Sequence, residues 1–193
     1  EQMLEQLLDE DDSLEITRFL RAVDVRIDGF RVEKAPEWRG QRVFVKHEVD
    51  GKGYELRLSE ESAGTQKLMG LASFLLAALE RGGTVVVDEL DAKLHPKLLR
   101  YVILLFKDPE VNKSGAQLIF SSQDVSTMRN DVFRRDEIWF AARGEWEASQ
   151  LWSLADIHEA NGNLVSKNAA FDKQYLSGRY GADPYLTRIE EWD

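Results

Sequence analysis

Several features are missing from this chain of 193 residues, and each absence excludes a class of protein. There is no cysteine, so disulfide bonds and thiolate zinc sites are excluded. The three histidines, His47, His95 and His158, are too scattered to suggest a metal centre. The longest apolar stretch, residues 68–79, is shorter than the roughly 18 residues that a membrane span needs. The first residues lack the basic start and apolar centre of a signal peptide, so we expect a cytoplasmic protein without a membrane partner.

Basic residues are also few, with 25 Lys and Arg against 35 Asp and Glu and a formal net charge of -10. Nucleic-acid affinity is dominated by cationic contacts to phosphates. DNA is therefore a possible partner only through a local contact and not through a broad basic surface. Arg129, Arg134 and Arg135 form a tight cationic cluster, which we interpret either as phosphate contacts or as ordinary surface.

The pattern of apolar and polar residues changes near residue 58. Before it, apolar and polar residues alternate at 23–27, 43–45 and 54–58, which predicts half-buried antiparallel strands. The dipeptide Asp50-Gly51 favours a hairpin turn. We therefore predict that residues 1–58 are the end of a charged helical insertion followed by a small β-meander arm.

Residues 59–193 alternate between helical and strand patterns, which predicts an α/β lobe with a largely parallel sheet flanked by helices. The unbroken valine run at 85–87 is typical of a strand that is buried on both faces. A late hairpin carries Trp139, Trp146 and Trp152, which we expect to pack its core. The other predicted elements are a helix at 65–80, a strand at 84–88, a helix opened by Pro96, a buried strand at 117–120 and a short helix after residue 168.

Two adjacent carboxylates, Asp88 and Glu89, directly follow the valine run. Open α/β sheets bind ligands at the carboxyl ends of their strands. There Asp88 would hold Mg²⁺, while Glu89 would orient and deprotonate an attacking water, as phosphoanhydride hydrolysis requires. Solvated charges at the end of a core strand are the alternative interpretation.

A turn of small residues at 62–66 (SAGTQ) opens the apolar helix. The Ser62 hydroxyl, the bare backbone of Gly64 and the free amides of a helix start suit a terminal phosphate. Ser62 or Thr65 would equally serve as an ordinary helix cap, and both roles can hold at once.

In their order and spacing these motifs resemble those of ABC-type ATPases of the SMC-like branch. Residues 62–66 resemble the signature motif, 85–89 the Walker B strand, and 90–96 (LDAKLHP) the D-loop. Residues 121–124 (SSQD) occupy the switch region, where Gln123 replaces the usual histidine. The tail at 175–184 (YLSGRYGADP) is similar to that of bacterial ATPases labelled "AAA family", whose members often belong to anti-phage systems.

The resemblance implies ATP and Mg²⁺ as cofactors and a homodimer that closes head to tail around ATP. It implies Asp88 as the metal ligand, Glu89 and Gln123 as catalytic residues, and a nuclease or toxin as the effector. The residues that it implies for nucleotide contacts and for coupling the two sites are Ser62, Gly64, Thr65 and Asp91. Gln123 cannot carry the charge of a histidine, so we expect slow hydrolysis.

The chain departs from the family in lacking the phosphate-binding Walker A motif. No Gly-x-x-x-x-Gly-Lys-Ser/Thr pattern occurs, and the one Gly-Lys pair is Gly51-Lys52. We therefore expect a fragment whose Walker A half is supplied in cis or in trans. Two other functions stay open, namely a DNA repair or maintenance ATPase of the SMC kind and a regulatory scaffold that never hydrolyses ATP.

We predict that the isolated chain binds Mg-ATP weakly or not at all, because the lysine and the amide cradle that neutralise the β- and γ-phosphates are missing. Titration calorimetry of the chain with Mg-ATP measures this directly. Micromolar affinity would show that the phosphate site has been assigned to the wrong residues.

Overall fold

The computed structural model describes residues 10–23, 26–35, 40–143 and 148–182. The chain divides into two compact units, Glu1–Gln123 and Asp124–Asp193. The domain boundary that the sequence predicts near residue 58 lies within the first unit. It stays a prediction.

The first unit begins with a helix and an antiparallel meander and continues with an α/β layer. Strands β1, β2 and β3 pair in that order as an antiparallel sheet, and β4 pairs with β5 in parallel. In chain order, the elements are α1 (Glu10–Ala22), β1 (Gly29–Ala35), β2 (Gly40–Val49), β3 (Lys52–Arg57), a 3-10 turn (Leu58–Glu60), α2 (Ala63–Arg81), β4 (Thr84–Val87), α3 (Pro96–Lys107) and β5 (Gln117–Phe120). The α/β fold class is thereby confirmed, and the alternating stretches at 43–45 and 54–58 lie in β2 and, up to Arg57, in β3.

The strand predicted at residues 23–27 is wrong. Helix α1 extends to Ala22, residues 26–28 are irregular, and residues 24 and 25 lie outside the described ranges, as do the apolar residues before residue 10. Ile16, Phe19, Leu20 and Val23 are all buried and recur at the spacing of a helix. These buried residues lie on the face of α1 that packs against α2 and β1. The packing of this face favours a helix over the strand that the short alternation at 23–27 predicts.

The Asp50-Gly51 dipeptide forms the two-residue hairpin expected of it. Val49 pairs with Lys52 across the turn, and Asp50 and Gly51 have φ of 52° and 73°. Two positive φ values define the turn whose twist suits a hairpin. On β2, Val43 and Val45 are buried as predicted, whereas every residue of β3 is exposed.

Helices α2 and α3 cover one face of the β4–β5 pair. Helix α2 buries a stripe at helical spacing and packs against β4, and α3 packs against β5. The other face is open, since Val86 is 72% exposed and Ile119 is 57% exposed. Among the described residues, the burial of this pair on both faces that the valine run predicts is therefore not seen.

The second unit is built on an antiparallel hairpin, β6 (Trp139–Arg143) and β7 (Ser149–Ser153), followed by helix α4 (Phe171–Leu176). Phe140 contacts the rings of Trp152, Tyr175 and Tyr180. Burial raises the pKa of Tyr180 to about 12. Packing of Trp152 is as predicted, but Trp139 is 57% exposed. Trp146 lies outside the described residues.

Within the described ranges, none of the helices combines the length and the apolarity that a membrane crossing requires.

Gly51→Ala should lower the free energy of unfolding by about 1 kcal/mol, because a residue with a Cβ atom is disfavoured at positive φ. Gly53→Ala is the matched control. An added Cβ meets nothing within 4 Å at either position, but only Gly51 has a positive φ. Urea denaturation compares the two variants with the parent chain. Equal stability of the two variants would contradict the assigned turn.

Candidate functional site

The acidic pair lies where the sequence places it, directly after the last residue of β4. Asp88 and Glu89 are both exposed, whereas the next residue, Leu90, is fully buried and anchors the loop. Glu89 has a φ of 49° and Lys93, in the same loop, has a φ of 66°. Residues with side chains rarely adopt this conformation, and such strain concentrates at functional sites.

Ser121, the first residue after β5, connects the two strand ends. Its hydroxyl donates a hydrogen bond to Asp88 Oδ1 and accepts one from the Glu89 amide at 2.7 Å. Its carbonyl accepts from the Leu90 amide at 3.0 Å, and its own amide donates to the Val87 carbonyl at 3.1 Å. Ser121 thus fixes the carboxylate of Asp88 and the backbone turn that carries Glu89.

Asp91 reaches the predicted switch segment through the backbone. Its Oδ2 accepts a hydrogen bond from the Gln123 amide at 3.3 Å. Its Oδ1 is buried and has no hydrogen-bond partner among the described residues. The side chain of Gln123 is exposed. The structure therefore brings Asp88, Glu89, Asp91 and Gln123 to one edge of the parallel pair.

The small-residue turn begins α2 with Ser62 as its cap. The Ser62 hydroxyl accepts from the Thr65 amide at 3.1 Å and lies 2.8 Å from the Thr65 hydroxyl. The Gln66 side chain donates to the Glu61 carbonyl at 2.8 Å. The capping role that the sequence allows for Ser62 is thus confirmed.

Gly64 brings this turn against the loop after β4. A Cβ atom built on Gly64 would lie 2.9 Å from the carbonyl oxygen of Lys93, closer than real Cβ contacts come. Only glycine fits this approach without a shift of the backbone. The turn at 62–66 and the loop at 88–94 are therefore in direct contact within the first unit.

The side chain of Lys67 also connects helix α2 to the loop at 88–94. Its Nζ donates to the backbone carbonyl of Glu89. Partial burial lowers the pKa of Lys67, and repulsion from Lys93 lowers it further, while the negative charges of Asp91 and Glu89 act in the opposite direction. The lysine therefore ties the first turns of α2 to the strand-end loop.

Sequence reasoning missed the roles of Ser121 and Lys67. The hydroxyl of Ser121 at the end of the neighbouring parallel strand was a usable signal, because such strand ends share one edge. Lys67 gave no signal of its own, since a lysine near a helix start is common on any surface.

The arginine cluster has partners of its own in the second unit. Arg129 pairs with Asp131, Arg134 with Asp136 and Glu137, and Arg135 donates to the Val165 carbonyl, all within the second unit. These contacts favour the surface interpretation of the arginine cluster.

The histidines have structural partners. His95 caps α3 by accepting from the Lys97 amide at 3.1 Å, and His158 contacts the Asp156 carbonyl. His47 pairs with Glu61.

The residues present fit part of a magnesium site. No group of three or more histidine or acidic side chains within the described ranges is arranged to hold a metal alone. Mg²⁺ at nucleotide sites needs only one or two carboxylates, because phosphates and waters complete its shell. Asp88 is exposed and oriented by Ser121, so it could supply one such carboxylate.

Fold and site together define an α/β lobe with an acidic strand end next to a glycine-containing helix start. Residues 2–129 match the family described as "AAA domain, putative AbiEii toxin, Type IV TA system". The match spans well over half of the chain, so the chain belongs to this family, one of P-loop ATPases.

No curated protein matches the chain at a significant level. Among solved structures, the chain is similar to one from "Structural biochemistry of ATP-driven dimerization and DNA stimulated activation of SMC ATPases". That similarity has a TM-score of 0.47 and 17% identity, and it covers 72% of this chain and 83% of the other.

Gly64→Ala should destabilise the chain by about 1–3 kcal/mol, because the new methyl group meets the backbone carbonyl of Lys93. Gly70→Ala, in the same helix, is the matched control, since its Cβ meets nothing within 4 Å. That control should stabilise α2 by about 0.5–1 kcal/mol. Denaturant unfolding gives both values, and a stabilising Gly64→Ala would disprove the close approach.

Proposed function

We propose that this chain is the signature and Walker B half of an ABC-type ATPase that works as an ATP-driven dimer switch. Membership of the AAA-domain family supports the ATPase class. The observation that carries the proposal is the contact of Gly64 and Lys67 with the loop that follows the acidic strand end. This contact connects the helix start, which we propose binds the γ-phosphate, to the residues that we propose carry out hydrolysis.

The strand-end residues divide the work of hydrolysis. In the complete site, Mg²⁺ would offset the charge of the ATP phosphates. Asp88 would hold its share of the metal, and Ser121 would keep that carboxylate oriented. Glu89 would take the proton of the attacking water, for which its exposed position at the loop suits it. Gln123 would donate a neutral hydrogen bond to the phosphate or the water.

The helix start would bind the terminal phosphate of the nucleotide held by the partner subunit. The Ser62 hydroxyl and the Thr65 amide cap α2 and fix the first turn. The first amides of a helix lack internal acceptors and point at an approaching anion. Ser62 and Thr65 would thus fix the geometry of the turn through their hydrogen bond, and Gly64 would offer its backbone amide to the phosphate. Asp91, bonded to the Gln123 amide, would couple the two sites of the dimer.

The Walker A lysine and its amide cradle would come from another lobe, in cis or in trans. ATP held between that lobe and the helix start would close the dimer, and hydrolysis would release it. The family description names a toxin and a toxin–antitoxin system. This description supports a toxin as the effector of the switch, and the resemblance of residues 175–184 to bacterial defence ATPases supports phage defence as its setting, with a nuclease as the other candidate effector.

Glu89→Gln should abolish ATP turnover in a protein that combines this chain with a Walker A lobe, since the amide cannot accept the proton of water. ATP-dependent dimerisation should persist or strengthen, because the nucleotide contacts remain. Steady-state hydrolysis and sedimentation with ATP give the two readouts.

Glu110→Gln, an exposed acidic residue outside the site, is the control for the loss of one charge and should hydrolyse ATP at the parental rate. Unchanged hydrolysis in Glu89→Gln would remove Glu89 from the proposed role. A complete protein without any Glu89-dependent turnover would favour a regulatory scaffold.

A further inference from the structure

His47, on β2, reaches the residue that precedes the small-residue turn. Its Nε2 lies 2.6 Å from Glu61 Oε1, and its Nδ1 lies 2.8 Å from the carbonyl oxygen of Arg26. The side chains are largely shielded from water, with 21% exposure for His47 and 10% for Glu61. The pair therefore connects the meander to the start of α2.

Both ring nitrogens of His47 face hydrogen-bond acceptors. A backbone carbonyl can only accept, and so can a carboxylate, the ordinary form of a glutamate side chain at neutral pH. A neutral imidazole carries one N–H and can satisfy only one of the two. The geometry is therefore complete when the ring is doubly protonated, as an imidazolium.

The groups around the ring favour that charged form. Glu61 and Asp28 contribute negative charge, and the register partner of His47 on β3 is Tyr54. Asp28 is itself paired with Arg21 of α1. Burial lowers the pKa of His47, but the hydrogen bonds to Glu61 and Arg26 and the charges of Glu61 and Asp28 outweigh it, so the pKa is raised.

The backbone of Glu61 connects the His47 contact to the turn at 62–66. Its carbonyl accepts from the Gln66 side chain and its amide donates to the Leu58 carbonyl at 3.2 Å. Ser62, the cap of α2, is the next residue, and Gly64 follows two positions later against Lys93. A change in the position of Glu61 therefore acts on both ends of the turn at 62–66.

We propose that His47 is a positioning residue whose protonated ring holds Glu61 and so fixes the turn at 62–66, and that loss of the ring proton releases this turn. Its consequence for ATP-dependent dimerisation rests on the function proposed above. The positioning itself is a property of the folded chain and needs no nucleotide.

The pH range follows from the direction of the pKa change. A histidine whose pKa is raised in the folded state stabilises the fold fully below its ordinary pKa of about 6.5. That stabilisation is lost as the pH rises through the raised value. The turn should therefore loosen as the pH rises above about 6.5 and through the raised pKa of His47.

NMR titration of the whole chain between pH 5.5 and 9 tests the proposal. The His47 ring should titrate above the ordinary histidine pKa of about 6.5, and the Gly64 amide shift should follow the His47 midpoint. In Glu61→Gln the His47 midpoint should fall by about one pH unit or more, because the nearest negative charge is gone. The Gly64 amide should then no longer follow it.

His47→Gln serves as a second variant, because it mimics the neutral ring without the charge. At pH 6 its Gly64 amide should take the position that the parent chain reaches only at high pH. A Gly64 amide that stays fixed while His47 titrates, or an unchanged His47 midpoint in Glu61→Gln, would overturn the proposal. Failure of a completed protein to hydrolyse ATP would overturn only the proposed function and leave these results intact.

Discussion

The parallel pairing of β4 with β5 is the constraint on which the candidate site depends. Parallel strands deliver their carboxyl ends to the same edge, so residues 32 or 33 positions apart meet there. Ser121 turns this adjacency into fixed geometry, because one hydroxyl serves both the Asp88 carboxylate and the Glu89 amide. The orientation of the acidic pair is therefore a property of two strands and not of β4 alone.

Helix α2 begins at that edge of the sheet and runs away from it. Its N-terminus reaches the strand-end loop because Gly64 has no side chain to hold the backbones apart, and Lys67 bonds the same loop one turn later. Without the glycine, the helix start would have to retreat from Lys93 or the loop would have to move. The same turn is held on its other side by Glu61 and His47. The helix start is thus fixed between the strand-end loop and the meander.

The sequence predicts local structure here better than it predicts long-range contacts. Helices α2 and α3, strands β4 and β5 and the Asp50-Gly51 hairpin follow from periodicity, caps and turn residues. The strand predicted at residues 23–27 does not form, because the helical spacing of Ile16, Phe19, Leu20 and Val23 continues into that stretch. The bridging role of Ser121 and the bond from Lys67 depend on residues 22 to 33 positions apart, which no local pattern encodes. The chemical roles of Asp88, Glu89, Asp91 and Gln123 stay predictions.

The charge of the site bears on how the proposed switch would work. Three carboxylates, Asp88, Glu89 and Asp91, lie in one loop of a chain with net charge -10. A polyphosphate is repelled by such a loop unless a metal ion and cationic groups lie between them. On the proposed function this half supplies the acid–base chemistry, while most of the positive charge comes from the Walker A lobe and the metal. This half alone would then retain ATP poorly, so on the proposed function nucleotide binding by this half would depend on its assembly with the Walker A lobe.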